Sequence, residues 1–132
     1  MSRRATVASV LILLATDADE VFDEVDAALA SVDDQVMRIT EGRAVRDAVL
    51  ELDPTVVVLD LQIGSMGGVA ACIDLRHEEG AGRMAHQRIL LLLDRSADTF
   101  LAEQSGADSW LVKPLDASRL SRAVDNLLGA PR

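Results

Sequence analysis

The sequence is poor in several residue types, and each scarcity excludes a class of protein. Its single cysteine, Cys72, excludes a disulfide framework and a metal site built from cysteines, and it fits a reducing compartment. No stretch reaches the roughly 18 uninterrupted apolar residues of a membrane-spanning helix, so we expect a cytoplasmic protein without a membrane span. Basic residues number 13 against 22 acidic ones, a formal net charge of −9. That charge repels phosphate backbones and disfavours direct binding to nucleic acid.

The composition nevertheless supports a well-packed core. Hydrophobic residues make up 49% of the chain and charged residues 27%, which is typical of a globular protein rather than a disordered one. A length of 132 residues suits one ordinary domain better than two. We therefore expect residues 1–132 to form a single domain.

Apolar runs and amphipathic stretches alternate along the chain. The predicted strands are Val7–Leu14, Gln35–Ile39, Thr55–Leu59, Ile89–Leu93 and Trp110–Val112. Each is followed by a helical pattern, and the fourth helix, Ser96–Gln104, is short and weakly patterned. The polar stretch Glu78–Gln87 is predicted to be a loop. Five strand–helix units of this kind predict an α/β fold, a parallel sheet with right-handed crossovers and helices on both faces.

Polar residues follow three of these strands. Thr16-Asp17 comes after the first strand, Asp60 after the third, and Lys113-Pro114 after the fifth. Ligands of open parallel sheets gather at the carboxyl ends of the strands, so these side chains can converge on one pocket. Two carboxylates and an ammonium suit phosphoryl transfer, in which a carboxylate accepts the phosphoryl group while Mg²⁺ and a lysine neutralise charge. Glycines after Asp60 would allow close approach of the backbone.

Two segments carry a resemblance to a known family. "VLDLQIGSMGGVAACIDLR" resembles the region around the phosphoacceptor of response-regulator receiver domains, and "SGADSWLVKPLD" resembles the segment that contains their fifth strand and Lys-Pro turn. The resemblance extends from about Val7 to Leu128. It implies a doubly wound, flavodoxin-like (βα)5 sheet of five parallel strands in the order 2-1-3-4-5.

The resemblance also implies roles for individual residues. Asp60 would accept a phosphoryl group from a sensor histidine kinase or a phosphotransfer protein. Asp17 and Asp60 would bind Mg²⁺, with Gln62 adding its backbone carbonyl. Lys113 would contact the phosphoryl group, and the family usually holds the Lys-Pro bond, at Pro114 in this chain, in the cis form.

The chain departs from the family pattern at several positions. Receivers usually carry two adjacent acids after the first strand, but Thr16 stands at the first of them, so we expect weakened Mg²⁺ binding. The hydroxyl residue that normally ends the fourth strand is replaced by Leu93 or Asp94. Leucine cannot donate a hydrogen bond, and aspartate would repel a phosphoryl group. Trp110 fills the position of the switch aromatic residue.

Three functions therefore compete. The first is a receiver that is a phosphoryl acceptor rather than an enzyme. Only four residues follow Leu128, so we expect no output domain. Signalling would then occur by contact with a downstream protein or with a second copy of the chain. The second is a degenerate receiver that binds a partner without phosphorylation. The third, a flavodoxin-like cofactor protein, is disfavoured because the loop "ATDADE" is acidic and lacks the glycine that a flavin phosphate requires.

Overall fold

The structure, a computed structural model, describes residues 9–129. Its strands are β1 (Leu11–Ala15), β2 (Gln35–Ile39), β3 (Val56–Asp60), β4 (Ile89–Leu93) and β5 (Ser109–Val112). Its α-helices are α1 (Asp19–Leu29), α2 (Val45–Leu52), α3 (Gly68–Gly80), α4 (Thr99–Ser105) and α5 (Ala117–Leu127). Among the described residues, no helix is long and apolar enough to cross a membrane.

The five strands form one parallel sheet in the order β2-β1-β3-β4-β5, which confirms the predicted fold. Asp60 ends β3 and pairs with Leu92 of β4, while Val112 of β5 pairs with Leu93. Because β4 lies between β3 and β5, the side chain of Lys113 has to reach across the end of β4 to contact Asp60. The carboxyl ends of β1, β3, β4 and β5 thus form the edge at which the polar residues meet.

The sheet is covered on both faces because its central strands alternate their side chains between two cores. On one face, residues such as Leu13, Leu59 and Leu91 pack with α2, α3 and α4. On the other, Ile12 and Val58 pack with α1 and α5. All residues of β3 and β4 are buried, which explains why these strands are continuous apolar runs rather than alternating ones. Cys72 of α3 is fully buried in the first core.

Several boundaries differ from the sequence prediction, among them the start of β1 and the end of α3. Strand β1 begins at Leu11 rather than Val7, and Val7 itself lies outside the described residues. Helix α3 continues to Gly80, through part of the stretch predicted to be a loop. Glu78 in this added turn forms ion pairs with Arg83 at 2.9 Å and with Arg46 of α2 at 3.5 Å. These contacts between separate segments stabilise a turn whose own sequence does not favour a helix.

Helix α4 is short, as predicted. A 3₁₀ turn at Ser96–Asp98 precedes it, and the α-helix itself has 7 residues. Gly106 ends it with a φ of 86°, a left-handed conformation that suits glycine.

Candidate functional site

Asp60 is a buried carboxylate whose two oxygens both accept hydrogen bonds. It lies at the last position of β3, and only 1% of it is exposed. The hydroxyl of Thr16 donates to Oδ2 at 2.7 Å, and the ammonium of Lys113 donates to Oδ1 at 2.6 Å. The backbone N–H of Gln62 approaches Oδ1 at 3.4 Å, a weak contact. The charge of Asp60 is therefore compensated by groups from the loops that follow β1 and β5.

Lys113 is the only lysine in the sequence, and its ammonium lies between two carboxylates. Its Nζ is 2.6 Å from Oδ1 of Asp60 and 3.0 Å from Oδ1 of Asp94. Its backbone N–H donates to the carbonyl of Leu93, and its peptide bond to Pro114 is cis, as the resemblance implied. Burial on its own lowers the pKa of Lys113, but the hydrogen bonds to Asp60 and Asp94 outweigh it and raise that pKa.

The two candidates for the position of the usual hydroxyl residue, Leu93 and Asp94, have different surroundings. Leu93 is fully buried and belongs to the core on the α2–α4 face of the sheet. Asp94 follows directly after β4, and its carboxylate accepts a hydrogen bond from Lys113. It is therefore Asp94, not Leu93, whose side chain faces the pocket.

The loop after β1 is held by hydrogen bonds on both sides. Thr16 is buried, its Oγ1 accepts a hydrogen bond from the N–H of Ala18, and its carbonyl accepts one from Nε of Arg38 at 3.0 Å. Arg38, on β2, also pairs with Asp19 at 2.8 Å. Asp17 is exposed and faces the loop after β3, where its Oδ2 accepts the N–H of Gly64 at 2.9 Å.

Glycine is required where α3 begins. A Cβ added to Gly68 would lie 2.3 Å from the carbonyl oxygen of Asp60, a distance that real contacts essentially never show. The N–H of Gly68 donates to the carbonyl of Leu61 at 3.1 Å. The glycine stretch after Asp60 thus allows α3 to begin directly against the end of β3.

Trp110, on β5, is half-buried and packs against the core on the α2–α4 face. The structure places it in the strand that leads to Lys113, one strand away from the buried Leu93. Trp110 therefore packs beside a neighbouring strand, β4, whose residues are all apolar and buried.

The oxygen atoms of the pocket are of the type that Mg²⁺ prefers, but they are few. Oδ2 of Asp60 already accepts the hydroxyl of Thr16, and the exposed carboxylate of Asp17 accepts the N–H of Gly64 in the loop after β3. Within residues 9–129, no group of three or more histidine, cysteine, aspartate or glutamate side chains is placed to hold a metal ion. A Mg²⁺ ion held by Asp17 and Asp60 would have one carboxylate fewer than the family pattern provides, and several of its ligands would have to be waters.

Comparison with known proteins agrees with this arrangement. The model of the response regulator receiver domain family matches residues 12–125, most of the chain. The chain belongs to the response-regulator receiver family. Receiver domains are phosphoryl-accepting signalling modules of two-component systems; they generally bind Mg²⁺ at an acidic pocket and interact with histidine kinases and downstream effectors.

Individual relatives include full-length regulators. The response regulator protein PmrA of Pseudomonas aeruginosa is 32% identical over 113 residues, which cover 86% of this receiver and 50% of PmrA. The DNA-binding response regulator MtrA of Mycobacterium tuberculosis is 32% identical over 107 residues, which cover 75% of this receiver and 45% of MtrA. The chain thus spans about half the length of these relatives.

Solved structures show the same fold. The chemotaxis protein CheY4 of Vibrio cholerae superposes with a TM-score of 0.78 at 20% identity, covering 92% of this receiver and 100% of that chain. The BeF3-activated N-terminal receiver domain of RstA from Klebsiella pneumoniae gives a TM-score of 0.77 at 24% identity, with 89% and 97% covered.

The structure brings Asp60 and Lys113 together, as the sequence predicted, but it adds two contacts that sequence reasoning missed. The sequence pattern indicates only that Thr16 replaces an acid, whereas in the structure its hydroxyl binds Asp60. It predicts only repulsion from Asp94, whereas in the structure the carboxylate of Asp94 binds Lys113. The sequence offers one signal for the site: Lys113 is the only lysine of the chain, which sets it apart from the other basic residues.

Proposed function

We propose that this receiver accepts a phosphoryl group on Asp60 from a histidine kinase or a phosphotransfer protein and signals by contact with another protein. The observation that carries the proposal is the 2.6 Å contact between the sole lysine and the buried carboxylate at the end of β3. A lysine placed in this way can bind a phosphoryl oxygen once the carboxylate has been modified. The formal charge of −9 disfavours direct contact with nucleic acid, so we propose that the partner is a protein. A cytoplasmic location belongs to the same proposal, because the single cysteine fits a reducing compartment.

The reaction is a transfer between nitrogen and oxygen. A carboxylate oxygen of Asp60 forms a bond to phosphorus while the bond from phosphorus to the donor nitrogen breaks, and that nitrogen leaves with the electron pair. Bound Mg²⁺, held by Asp17, Asp60 and the carbonyl of Gln62, would neutralise negative charge on the phosphoryl oxygens. The ammonium of Lys113 contacts the same carboxylate, so the protein itself supplies one positive charge for the phosphoryl oxygens.

The test is phosphorylation by a small donor. The purified protein is incubated with phosphoramidate and Mg²⁺, and the intact mass is measured over time. We expect the mass of one phosphoryl group to be added in the wild type and in Asp23→Asn, a matched change of an exposed acid on α1. Asp60→Asn, which keeps the shape of the side chain, is expected to gain nothing. Equal gains in all three proteins, or no gain in the wild type, would contradict the proposal.

A second candidate is a degenerate receiver that binds its partner without phosphorylation. It is favoured by one observation: both oxygens of Asp60 already accept hydrogen bonds from protein groups, and the side chain is almost fully buried. This candidate predicts that phosphoramidate and Mg²⁺ leave the amide NMR spectrum of the wild type unchanged. Shifts centred on Asp60 and Lys113 would exclude it.

A further inference from the structure

The side chain of Asp94 lies where one of its carboxylate oxygens is poorly solvated. Its side chain is 32% exposed, yet Oδ2 is inaccessible to solvent and, within the described part of the chain, has no hydrogen-bond partner. Burying a carboxylate oxygen without a partner costs free energy. The attraction that compensates this cost is the contact of Oδ1 with the ammonium of Lys113, at 3.0 Å.

We propose that Asp94 is a positioning residue whose carboxylate competes with the phosphoryl group on Asp60 for Lys113. This inference rests on the proposed function. The phosphoryl group carries about −1.5 to −2 charges near neutral pH and needs the same ammonium. The carboxylate of Asp94, whose Oδ1 lies 3.0 Å from that ammonium, repels the phosphoryl group. Lys113 is the only lysine in the chain, so no second ammonium can serve the phosphoryl group, and repulsion between the two anions displaces Asp94 from Lys113.

The displacement provides a route to α4 that needs no hydroxyl. Asp94 directly precedes Arg95, whose backbone N–H and side chain donate to the carboxylate of Asp98 at 3.1 and 3.2 Å. These bonds define the 3₁₀ turn from which α4 starts. When Asp94 leaves Lys113, the turn that starts at the next residue is free to shift with it. The buried Leu93 cannot take part in such a switch, whereas an exchange of anions on Lys113 can drive it.

The hold of Asp94 on Lys113 can be measured without phosphorylation. Labelling with ¹⁵N-lysine gives a single side-chain signal because the chain has one lysine. We expect the ammonium protons of Lys113 to exchange with solvent several-fold faster in Asp94→Ala than in the wild type. Glu103→Gln removes one negative charge from the exposed side of α4 and is expected to leave the exchange rate unchanged. Equal exchange rates in the wild type and Asp94→Ala would overturn the proposal.

The competition itself is tested by the initial rate of phosphorylation with phosphoramidate and Mg²⁺. Asp94→Asn keeps the shape of the side chain and removes its charge, so we expect a rate on the order of ten times that of the wild type, as for loss of a hydrogen bond to a charged group. Glu103→Gln is expected to match the wild type, which excludes an effect of net charge.

The outcomes separate the two proposals. Phosphorylation of the wild type without acceleration in Asp94→Asn overturns the competition and leaves the proposed function standing. Acceleration in Asp94→Ala alone also overturns it, because the effect would then come from space rather than charge. If no variant accepts a phosphoryl group, the proposed function fails and the competition fails with it. Uptake by Asp94→Asn and not by the wild type would support the competition for Lys113 and contradict the proposed function, because the native chain would then not accept a phosphoryl group.

Discussion

Lys113 shows how much the function depends on the identity of one side chain. Apart from its histidines, all basic residues of the chain are arginines except Lys113, and this one lysine contacts Asp60. An ammonium is a compact charge with three donors, so it can contact Asp60 and Asp94 together without the planar fork of a guanidinium. The same compact charge can pass from a carboxylate to a phosphoryl oxygen with little rearrangement.

Gly68 carries a prediction at the residue scale. Gly68→Ala would drive a methyl group to within 2.3 Å of the Asp60 carbonyl, so we expect the free energy of unfolding to fall by about 3 kcal/mol. Gly80→Ala is the matched control, since it lies in the same helix and its Cβ would meet nothing within 4 Å. It should leave stability unchanged or raise it by up to about 1 kcal/mol. Urea unfolding measures both; equal effects would show that α3 does not approach β3 so closely.

At the scale of elements, Arg76 joins α3 to two other segments, the one before β4 and the one between α4 and β5. Its guanidinium donates to Glu79 and to the carbonyl of Gln87 before β4, and also to the carbonyl of Gly106 and the carboxylate of Asp108 between α4 and β5. Asp108 in turn accepts the N–H of Ile89 at the start of β4. This network explains physically why an acid follows Gly-Ala in the segment that resembles the family.

The network supports a second stability prediction. Arg76→Met leaves Glu79 and Asp108 without their cationic partner, and we expect a loss of about 2 kcal/mol in the free energy of unfolding. Arg76→Lys should recover only a small part of it, because an ammonium cannot span the same acceptors. Arg122→Met, on the exposed side of α5, should change stability by less than about 0.5 kcal/mol. If Arg76→Met were as mild as Arg122→Met, the network would not join these elements.

Element types were predictable because each depends on a local pattern. The apolar runs of β3 and β4 are too short for buried helices and lie between turn residues, so they read as strands covered on both faces. The last turn of α3 was missed because Glu78 is stabilised by Arg83 and Arg46, contacts that no local pattern contains. Local propensity therefore predicted the elements, and tertiary contacts decided their ends.

At the scale of the whole molecule, the parallel order of the strands brings the site together. Asp60 and Lys113 are 53 positions apart in the sequence. They meet because Asp60 ends β3 and Lys113 follows β5, and both strands end at the same edge of the sheet. Their meeting was predictable from this rule and from the family resemblance. The directions of the Asp94 and Thr16 side chains were not predictable from the sequence, because they depend on how the loops after β4 and β1 turn over the pocket.

The most direct test of the account is to locate the phosphoryl group. After treatment with phosphoramidate and Mg²⁺, borohydride reduces an aspartyl phosphate to homoserine, and peptide mass spectrometry identifies the position. We predict homoserine at position 60 and at none of the other aspartates, with the product lost in Lys113→Met because Asp60 then lacks its ammonium. Homoserine at a different aspartate, or unreduced Asp60 in a protein that has gained the mass of a phosphoryl group, would contradict the account.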